Sequence, residues 1–404
     1  MPVITILHRC LDPLLPHIHC RRLATLFAAV VSCVSGPALS LTDVGRRFTG
    51  AIDLRDKIKR ADRLLANRHL QGEARSIDRA LCRVTLARLK EPLILIDWSD
   101  LKADQSLHLL RASLPVGGRS LTLYEEVHAQ KKLGNRTVQH HFLQRLAELL
   151  PPGLAPIIIA DAGFKVPFFR DVERLGWRWV GRVRGRDFVK LKQRWASCQT
   201  LFRRATTTPT ALGEGEWVRS NPLRAVFVLV RQARQGRRCK TTAGKRSRSK
   251  KSRQAARAAR EPWLLVASTR FADWAGRAVV RLYRQRMQIE ESFRDMKNLH
   301  FGEGLERSRS RRAGRFTVLV LIASLAAFLL WLLGTAAERA GIDRRLHPGN
   351  GKRRVYSRLF LARLLLALDS CRKMLEELIP TVERPDQWVA NDHDALLADG
   401  GGGG

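Results

Sequence analysis

Two short apolar runs, each ending in an aspartate, restrict the fold of this chain more than any other feature. They span residues 92–97 and 155–161, and no polar residue interrupts either run before its aspartate. Such runs are typical of central strands that are covered on both faces. The other predicted core elements are strands at 106–115, 120–127 and 177–184 and helices at 136–149 and 171–175. Strands alternating with helices predict an α/β fold with its chemistry at one edge of a sheet.

The first 85 residues have the pattern of short helices. Apolar periodicity runs through residues 11–15 and 23–34, and Ser40 is an N-cap candidate before a short apolar and basic helical turn. A basic helix is predicted at residues 57–69, where apolar positions alternate with Lys57, Arg60 and Arg63. Such a helix can pack on one side and contact DNA on the other. For any single one of these side chains, a solvated basic face fits equally well.

The charge of the chain predicts a polyanionic partner. There are 73 Lys and Arg against 37 Asp and Glu, a formal net charge of +36. Nucleic acid is the first expectation and an acidic lipid surface is the alternative. Residues 237–260 hold eleven basic residues and no acidic one. We expect this run to be a surface loop that contacts nucleic acid.

Cysteine usage and hydropathy bound the setting. The seven cysteines are scattered and form no CxxC pair, so a reduced, cytoplasmic location is expected. Residues 316–333 are apolar and uncharged, which is long enough to span a bilayer. A helix buried on all sides gives the same pattern. We therefore expect a core helix and no membrane partner.

From about residue 186 the pattern changes to strands outside the main core. Trp195, Trp217 and residues 225–230 mark these strands, and strand character returns at Trp263. The last helical pattern lies around residues 359–378, before a glycine tail. We predict a β-rich insertion followed by helices.

Residues 283–297 read as one helix with a functional stripe. At about 100° per residue, Tyr283, Arg286, Glu290 and Lys297 fall within about 60° of one another. An apolar stripe beside them suits packing on a sheet. This arrangement predicts a helix that holds an anion next to a metal-binding carboxylate, although an ordinary charged helix has the same composition.

Asp97, Asp161 and Glu290 are the candidate metal ligands. Three separated carboxylates can hold two divalent ions, and Mg²⁺ prefers carboxylate and phosphate oxygens. Two such ions support an in-line phosphoryl displacement. A strand-terminal aspartate can also be a simple cap or turn residue. The nearest competing carboxylates are Asp100 and Glu291.

The spacing Y-x2-R-x3-E-x6-K resembles the YREK signature of bacterial DDE transposases of insertion-sequence family 4. Similar segments lie at residues 63–69, 96–100, 118–125 and 161–167, and the resemblance extends in order to about residue 340. It implies an RNase H-like catalytic core, with a mixed sheet flanked by helices, an N-terminal helical DNA-binding domain and a β-rich insertion. The expected parts are an end-binding domain (1–85), the first part of the core (86–185), the insertion with its basic loop (186–272), the second part of the core (273–340) and a C-terminal helical segment with a disordered glycine tail (341–404).

The resemblance also assigns roles to the site residues. Asp97, Asp161 and Glu290 would be the catalytic triad, with Mg²⁺ as the cofactor and Mn²⁺ able to substitute. Tyr283, Arg286 and Lys297 would bind phosphates of the transposon end. Trp263 would stack on a base extruded during hairpin formation, although a core tryptophan is an equally good interpretation.

The sequence therefore predicts a cut-and-paste DNA transposase. Its expected partners are double-stranded DNA, as terminal inverted repeats and target, and a second copy of the chain in a synaptic complex in the bacterial nucleoid. The alternatives are a repressor-like DNA-binding protein derived from a transposase, a nuclease that cuts without joining, and a membrane-associated protein that uses residues 316–333 as a span.

Overall fold

In a computed structural model of the chain, two compact units form. The structure describes residues 3–185, 187–232, 248–250, 252–253, 256, 261–299, 302–346 and 355–398. Unit 1 contains the described residues up to Leu154 together with Met287–Ala398, and unit 2 contains those within Ala155–Arg286. Most of the predicted basic loop at 237–260 and the glycine tail lie outside the described residues.

Unit 1 is mostly helical. Its helices are α1 (Ile4–Leu11), α2 (Cys20–Val34), α3 (Leu41–Arg46), α4 (Leu54–Ala66), α5 (Arg68–Leu86), α6 (Arg136–Leu149), α10 (Met287–Lys297), α11 (Ala313–Arg339), α12 (Ile342–Arg345), α13 (Arg358–Ala367), α14 (Arg372–Leu378) and α15 (Pro385–Ala398). The side chain of Ser40 accepts a hydrogen bond from the backbone N–H of Asp43, which confirms it as the N-cap of α3. Asn67 caps α5 in the same way, so the predicted basic helix ends at Ala66.

Unit 1 contains three antiparallel strands, and the first of them carries Asp97. They are β1 (Leu93–Asp100), β2 (Leu107–Pro115) and β3 (Ser120–Ala129), in the order β3-β2-β1. Leu93, Ile94, Leu95 and Ile96 are at most 1% exposed. This confirms the predicted buried strand, because apolar residues at both odd and even positions require cover on both faces.

The apolar helix α11 forms the centre of unit 1. It is the one helix in the described part of the chain that is long and apolar enough to cross a membrane, and 89% of its most apolar window is buried in the fold. It packs against α2, α4, α5, α13 and β3. The interpretation as a core helix is thus confirmed, since neighbouring elements already cover its apolar surface.

Unit 2 is built on a mixed sheet. Its strands are β4 (Ile157–Ala160), β5 (Arg178–Val183), β6 (Phe188–Leu191), β7 (Arg194–Ser197), β8 (Thr210–Trp217), β9 (Leu223–Val230) and β10 (Trp263–Ala267), and its helices include α7 (Val166–Arg174), α8 (Cys198–Phe202) and α9 (Gly276–Arg284). The strand order is β4-β5-β10-β9-β8-β6-β7. Strands β4 and β5 are parallel, and the other neighbouring pairs are antiparallel.

This architecture is α/β, with strands flanked by helices, and it is compatible with the predicted RNase H-like core. The strands expected between residues 186 and 267 are present in unit 2. The N-terminal DNA-binding domain and the five-part division of the chain stay predictions.

Two helix predictions were wrong in their limits. Residues 359–378 do not form one helix, because Leu368 adopts an extended backbone between α13 and α14. Helix α7 begins at Val166, five residues earlier than predicted, with a proline in its first turn. Proline suits that position because its missing N–H would have had no intrahelical partner.

Candidate active site

Asp97 lies where the buried strand β1 approaches its exposed end. Its side chain is 9% exposed, and Oδ1 accepts a hydrogen bond from the Trp98 backbone N–H at 2.8 Å. Asp100 is three residues further along the same strand, so it points to the opposite face, whereas Ser99 shares the face of Asp97. Strand geometry therefore places Asp97 and its competitor Asp100 on opposite faces of β1.

Helix α10 covers the face of the sheet on which Asp97 lies. Arg111 is directly opposite Asp97 on β2, and side chains of directly opposed residues share a face. The Arg111 guanidinium lies 5.1 Å from the ring centroid of Phe293 and within 3.3 Å of the sulfur of Met296, both on α10. Its charge is balanced by Glu125 at 2.7 Å. The Asp97 face thus looks toward α10.

Lys297, at the end of α10, reaches the same end of β1. Its Nζ donates to Ser99 Oγ at 3.0 Å and to the carbonyl oxygen of Asp100 at 3.2 Å. Burial lowers the pKa of the Lys297 ammonium, and the carboxylates of Asp100, Glu306 and Asp97 oppose that shift without cancelling it. Two predicted site residues, Asp97 and Lys297, are brought together here.

Glu290 lies on the Lys297 side of α10. Seven residues are close to two helical turns, so the two side chains differ by only about 20° around the helix axis. The Gln288 side-chain oxygen accepts from the N–H groups of Val116 and Gly118 at 3.1 and 2.9 Å. Ser292 Oγ accepts from the Ser120 N–H at 2.8 Å. These bonds to the turn between β2 and β3 set the rotation of the helix.

Glu291, the competing glutamate, is engaged elsewhere. It pairs with Arg119 at 3.9 Å and also with Arg294. Arg119 bonds Asp295 of the same helix as well. Glu291 therefore belongs to a surface ion-pair network at the β2–β3 turn.

The prediction of one helix from 283 to 297 was wrong. Helix α9 ends at Arg284 and α10 begins at Met287. The N–H groups of Gln285 and Arg286 bond to carbonyl oxygens three residues back, at 3.1 Å each. Such bonds tighten the last turn and interrupt the regular advance of 100° per residue. Tyr283 and Arg286 belong to unit 2, whereas Glu290 and Lys297 belong to unit 1.

Unit 2 brings Tyr283, Arg286 and Trp263 together. The Tyr283 ring is buried and meets the half-buried Trp263 ring edge to face, with 5.1 Å between the centroids. The Arg286 guanidinium lies 5.9 Å from the Tyr283 ring centroid. Three residues predicted to contact DNA therefore form one aromatic and cationic cluster.

Two further arginines, Arg182 and Arg184, lie beside this cluster and were not predicted from the sequence. Arg182 lies 5.9 Å from the centre of the Trp263 ring, and both Arg182 and Arg184 pair with Glu261. Burial lowers the pKa of Arg182, and the neighbouring guanidinium groups of Arg184 and Arg286 add to that effect. Arg182 and Arg184 thus share the one carboxylate of Glu261. The signal in the sequence was an Arg-x-Arg spacing at the end of a strand, which puts both side chains on one face.

Asp161 follows β4 directly, as the apolar run predicted. Its Oδ1 accepts from the Gly163 N–H at 2.7 Å, and its carbonyl oxygen accepts from the Phe164 N–H at 3.3 Å. A Cβ atom on Gly163 would lie 2.9 Å from Asp161 Oδ1. The turn therefore orients the carboxylate, and a side chain at position 163 would displace it.

The predicted N-terminal contacts differ in exposure. Arg63 is exposed and Lys57 is half-buried. Arg60 faces inward, with its guanidinium 4.8 Å from the Phe48 ring centroid and a hydrogen bond to Thr25 Oγ1 at 3.2 Å. Arg60 therefore takes part in packing between helices, and its contact with DNA stays a prediction.

Within the described residues, no group of three or more His, Cys, Asp or Glu side chains has the geometry of a metal site. Asp97 and Glu290 lie in unit 1 and Asp161 lies in unit 2. All three donors are carboxylates, which suit a hard divalent cation.

A comparison with protein families matches residues 88–329 to the transposase DDE domain. The matched segment is more than half of the chain, and it contains all seven predicted site residues outside the N-terminal helices. No curated protein matches the chain. The family acts on DNA by strand cleavage and transfer and generally uses divalent metal ions. The chain belongs to the DDE transposase family.

Proposed function

We propose that this chain is a cut-and-paste DNA transposase of the insertion-sequence family 4 type. The observation that carries the proposal is the position of α10 over the face of β1 that bears Asp97. Lys297 of this helix bonds to Ser99, and Glu290 shares its side of the helix. A carboxylate on a buried strand, a second on a covering helix and an ammonium beside them suit phosphoryl transfer on a polyanion.

Asp97, Asp161 and Glu290 would hold two Mg²⁺ ions, and Mn²⁺ would substitute. The bound ions would lower the pKa of a water or 3′-hydroxyl and stabilise the departing oxygen in an in-line displacement. The protein contributes fixed ligand atoms: Oδ1 of Asp97 is oriented by the Trp98 N–H and that of Asp161 by the Gly163 N–H.

The cationic side chains would bind the DNA strand around the scissile phosphate. Lys297 offers an ammonium beside Asp97, and in unit 2 Arg286 stands beside the Tyr283 ring. Arg182 adds a charge that Glu261, shared with Arg184, balances only in part. Trp263 would stack on a base that leaves the helix when the strand bends into a hairpin.

The reaction would alternate two kinds of step: hydrolysis, in which water breaks a phosphodiester to leave a 5′-phosphate and a 3′-hydroxyl, and transesterification, in which a 3′-hydroxyl exchanges one phosphodiester for another. Water first cleaves one strand at the transposon end and frees a 3′-hydroxyl. That hydroxyl attacks the opposite strand, which forms a hairpin and releases the flanking DNA. A second water opens the hairpin, and the 3′-ends then join target DNA. Two copies of the chain would hold the two inverted repeats in a synaptic complex in the bacterial nucleoid.

The experiment uses full-length protein and a labelled duplex that carries the DNA flanking this gene. Products formed with Mg²⁺, with Mn²⁺ and with EDTA are separated on a denaturing gel. We expect a metal-dependent nick that matures into a hairpin. Asp97→Asn should remove every product, whereas the matched control Asp100→Asn, which lies on the other face of β1, should retain them.

Two results would contradict the proposal. Specific binding to a verified end without any metal-dependent cut would favour the repressor-like alternative. Nicks that never become hairpins or joined products would favour a nuclease.

A further inference from the structure

A row of three charged side chains crosses the strands that include Asp97. Arg111 on β2 lies directly opposite Asp97 on β1, and Glu125 on β3 lies directly opposite Arg111. Directly opposed residues share a face of the sheet, with Cβ atoms about 4.5–5.5 Å apart. The row therefore runs carboxylate, guanidinium, carboxylate on the face that α10 covers. Arg111 is the neighbour of two carboxylates.

The Arg111 guanidinium is held by Glu125. Its Nε and one terminal nitrogen lie 2.8 and 2.7 Å from the same Glu125 oxygen, and both side chains are at most 5% exposed. The other Glu125 oxygen accepts from Ser324 Oγ at 2.8 Å. The guanidinium also contacts the Met296 sulfur at 3.3 Å. Because this pair is buried, Glu125 both fixes the position of the guanidinium and balances its charge.

The nearby carboxyl groups of Asp78 and Glu126 contribute little to this balance. Asp78 on α5 is 2% exposed, and burial, followed by the Glu125 carboxylate, raises its pKa well above the ordinary value. The neutral form of Asp78 is therefore favoured. Glu126 is the next residue on β3, so it points to the opposite face, where it bonds to His128 and Arg145. Glu125 thus provides the balancing charge for Arg111.

The charge of Arg111 matters because Asp97 is a candidate metal ligand. An unbalanced guanidinium opposite Asp97 would repel a divalent cation and would compete with it for the carboxylate. When Arg111 is paired with Glu125, the two side chains together add little net charge beside Asp97. The row therefore links the metal affinity of Asp97 to a carboxylate two strands away.

We propose that Glu125 is a positioning residue for the metal site: it binds the Arg111 guanidinium, keeps it from neutralising Asp97 and thereby raises the affinity of Asp97 for a divalent cation. This inference rests on the proposed function and adds two residues that set its metal dependence. Both residues act through Asp97 and touch no reacting atom. Their substitutions should change metal affinity in opposite directions, which a purely structural ion pair does not predict.

The test measures metal affinity in two ways with full-length protein. Nicking of the gene-flanking duplex is followed as a function of Mg²⁺ concentration. Binding of Mn²⁺ to the protein–duplex complex is followed by the loss of the free-ion electron paramagnetic resonance signal, a readout that does not require cleavage. Asp97→Asn gives the background for both measurements.

The two partners should give opposite results. Glu125→Gln leaves the charge of Arg111 unbalanced and should raise the half-saturating concentrations of Mg²⁺ and Mn²⁺ about tenfold. Arg111→Met removes that charge and should bind metal at least as tightly as the wild-type protein. Methionine suits the site because Phe293 and Met296 line it. The double variant Arg111→Met/Glu125→Gln should return to within about threefold of the wild-type values.

Glu126→Gln is the matched control. It removes the same charge from the next residue, on the opposite face of β3, and should leave both half-saturating concentrations unchanged. Circular dichroism and urea unfolding establish that each variant is folded, because breaking a buried pair destabilises a protein. If Glu125→Gln does not fold, Arg111→Met and the double variant still test the predicted direction.

The outcomes separate this inference from the proposed function. Weaker metal binding in Arg111→Met and in the double variant, or wild-type binding in Glu125→Gln, would overturn the role of Glu125, while wild-type cleavage would uphold the transposase reaction. The predicted pattern of Mn²⁺ binding without any cleavage would uphold the role of Glu125 and overturn that reaction. Metal binding that Asp97→Asn leaves unchanged would overturn both.

Discussion

The two halves of the YREK spacing lie in different chemical surroundings. In unit 1, Glu290 and Lys297 are on a helix that neutral hydrogen bonds fasten to the β2–β3 turn. In unit 2, Tyr283 and Arg286 belong to an aromatic cluster with more guanidinium groups than carboxylates. The first arrangement fixes the rotation of the helix that carries Glu290 and Lys297, whereas the second gathers positive charge beside two aromatic rings. The difference supports the proposal that the two parts of this spacing serve different tasks, metal binding in unit 1 and phosphate binding in unit 2.

The largest expected effect separates Glu290 from its neighbour Glu291. Glu290→Gln should lower strand cleavage by about a thousandfold or more, because a neutral amide replaces an anionic metal ligand. DNA binding should change little. The matched control Glu291→Gln removes the same charge one residue away, from a surface ion-pair network, and should cut at close to the wild-type rate. Equal losses in both variants, measured as nicking rates, would remove the distinction between the two glutamates.

A smaller effect tests the unit 2 half of the comparison. Arg286→Ala should reduce hairpin formation about tenfold more than first-strand nicking, since the hairpin step requires the sharpest bend of the bound strand. The control is Arg284→Ala, which removes an exposed arginine at the end of α9. Single-turnover rates for the two steps provide the measurement. An equal loss in both steps would mean that Arg286 does not contribute more to hairpin formation than to first-strand nicking.

The turn after β4 allows a test at Gly163. Gly163→Ala would place a Cβ 2.9 Å from Asp161 Oδ1, so the carboxylate must move. We expect about a tenfold loss of cleavage with DNA affinity unchanged. Gly72→Ala in α5 is the control, because a Cβ there meets nothing within 4 Å. Wild-type cleavage in Gly163→Ala would show that this turn does not position the carboxylate.

The smallest effect concerns a buried histidine that holds the start of β1. His393 Nε2 accepts a hydrogen bond from the Leu93 N–H at 3.2 Å, and burial lowers the pKa of His393 below its ordinary value of 6.5. The neutral form is thus favoured in the fold. Its contribution to stability is complete above that ordinary pKa and is lost as the pH falls below it.

Replacing this histidine by a permanent acceptor should remove that pH dependence. Between about pH 7.5 and 5.5 the wild-type protein should lose up to about 1 kcal/mol per pH unit relative to His393→Gln, whose side-chain oxygen can accept at any pH. The comparison of the two proteins is needed because the buried Glu303, whose pKa burial raises to about 7, titrates in the same range with the opposite sign. Urea unfolding at each pH gives the free energies. Parallel pH profiles would show that His393 is not the group that responds.

Sequence reasoning succeeded where one local cause dominates. Helix α6 has the predicted limits, 136–149, and the buried run before Asp97 is a strand, because hydrophobic patterning decides both. It failed where contacts between distant parts of the chain determine the limits of a helix or the direction of a side chain. The break at residues 285–286 has no proline or glycine to signal it, and the inward turn of Arg60 depends on Phe48 and Thr25, which are distant in sequence. Arg182 could not be singled out from the sequence, because its position beside Trp263 depends on the pairing of two strands that are distant in sequence.

The most direct test asks whether the Asp97 side chain holds the catalytic cation. Asp97→Cys replaces a hard oxygen ligand with a soft thiolate, which disfavours Mg²⁺ and favours softer metals. We predict no cleavage of the gene-flanking duplex by this variant in Mg²⁺ and partial recovery in Mn²⁺ or Cd²⁺, while Asp100→Cys cuts normally in Mg²⁺. Cleavage by Asp97→Cys at the wild-type rate in Mg²⁺ would contradict the assignment of Asp97 and the active site built around it.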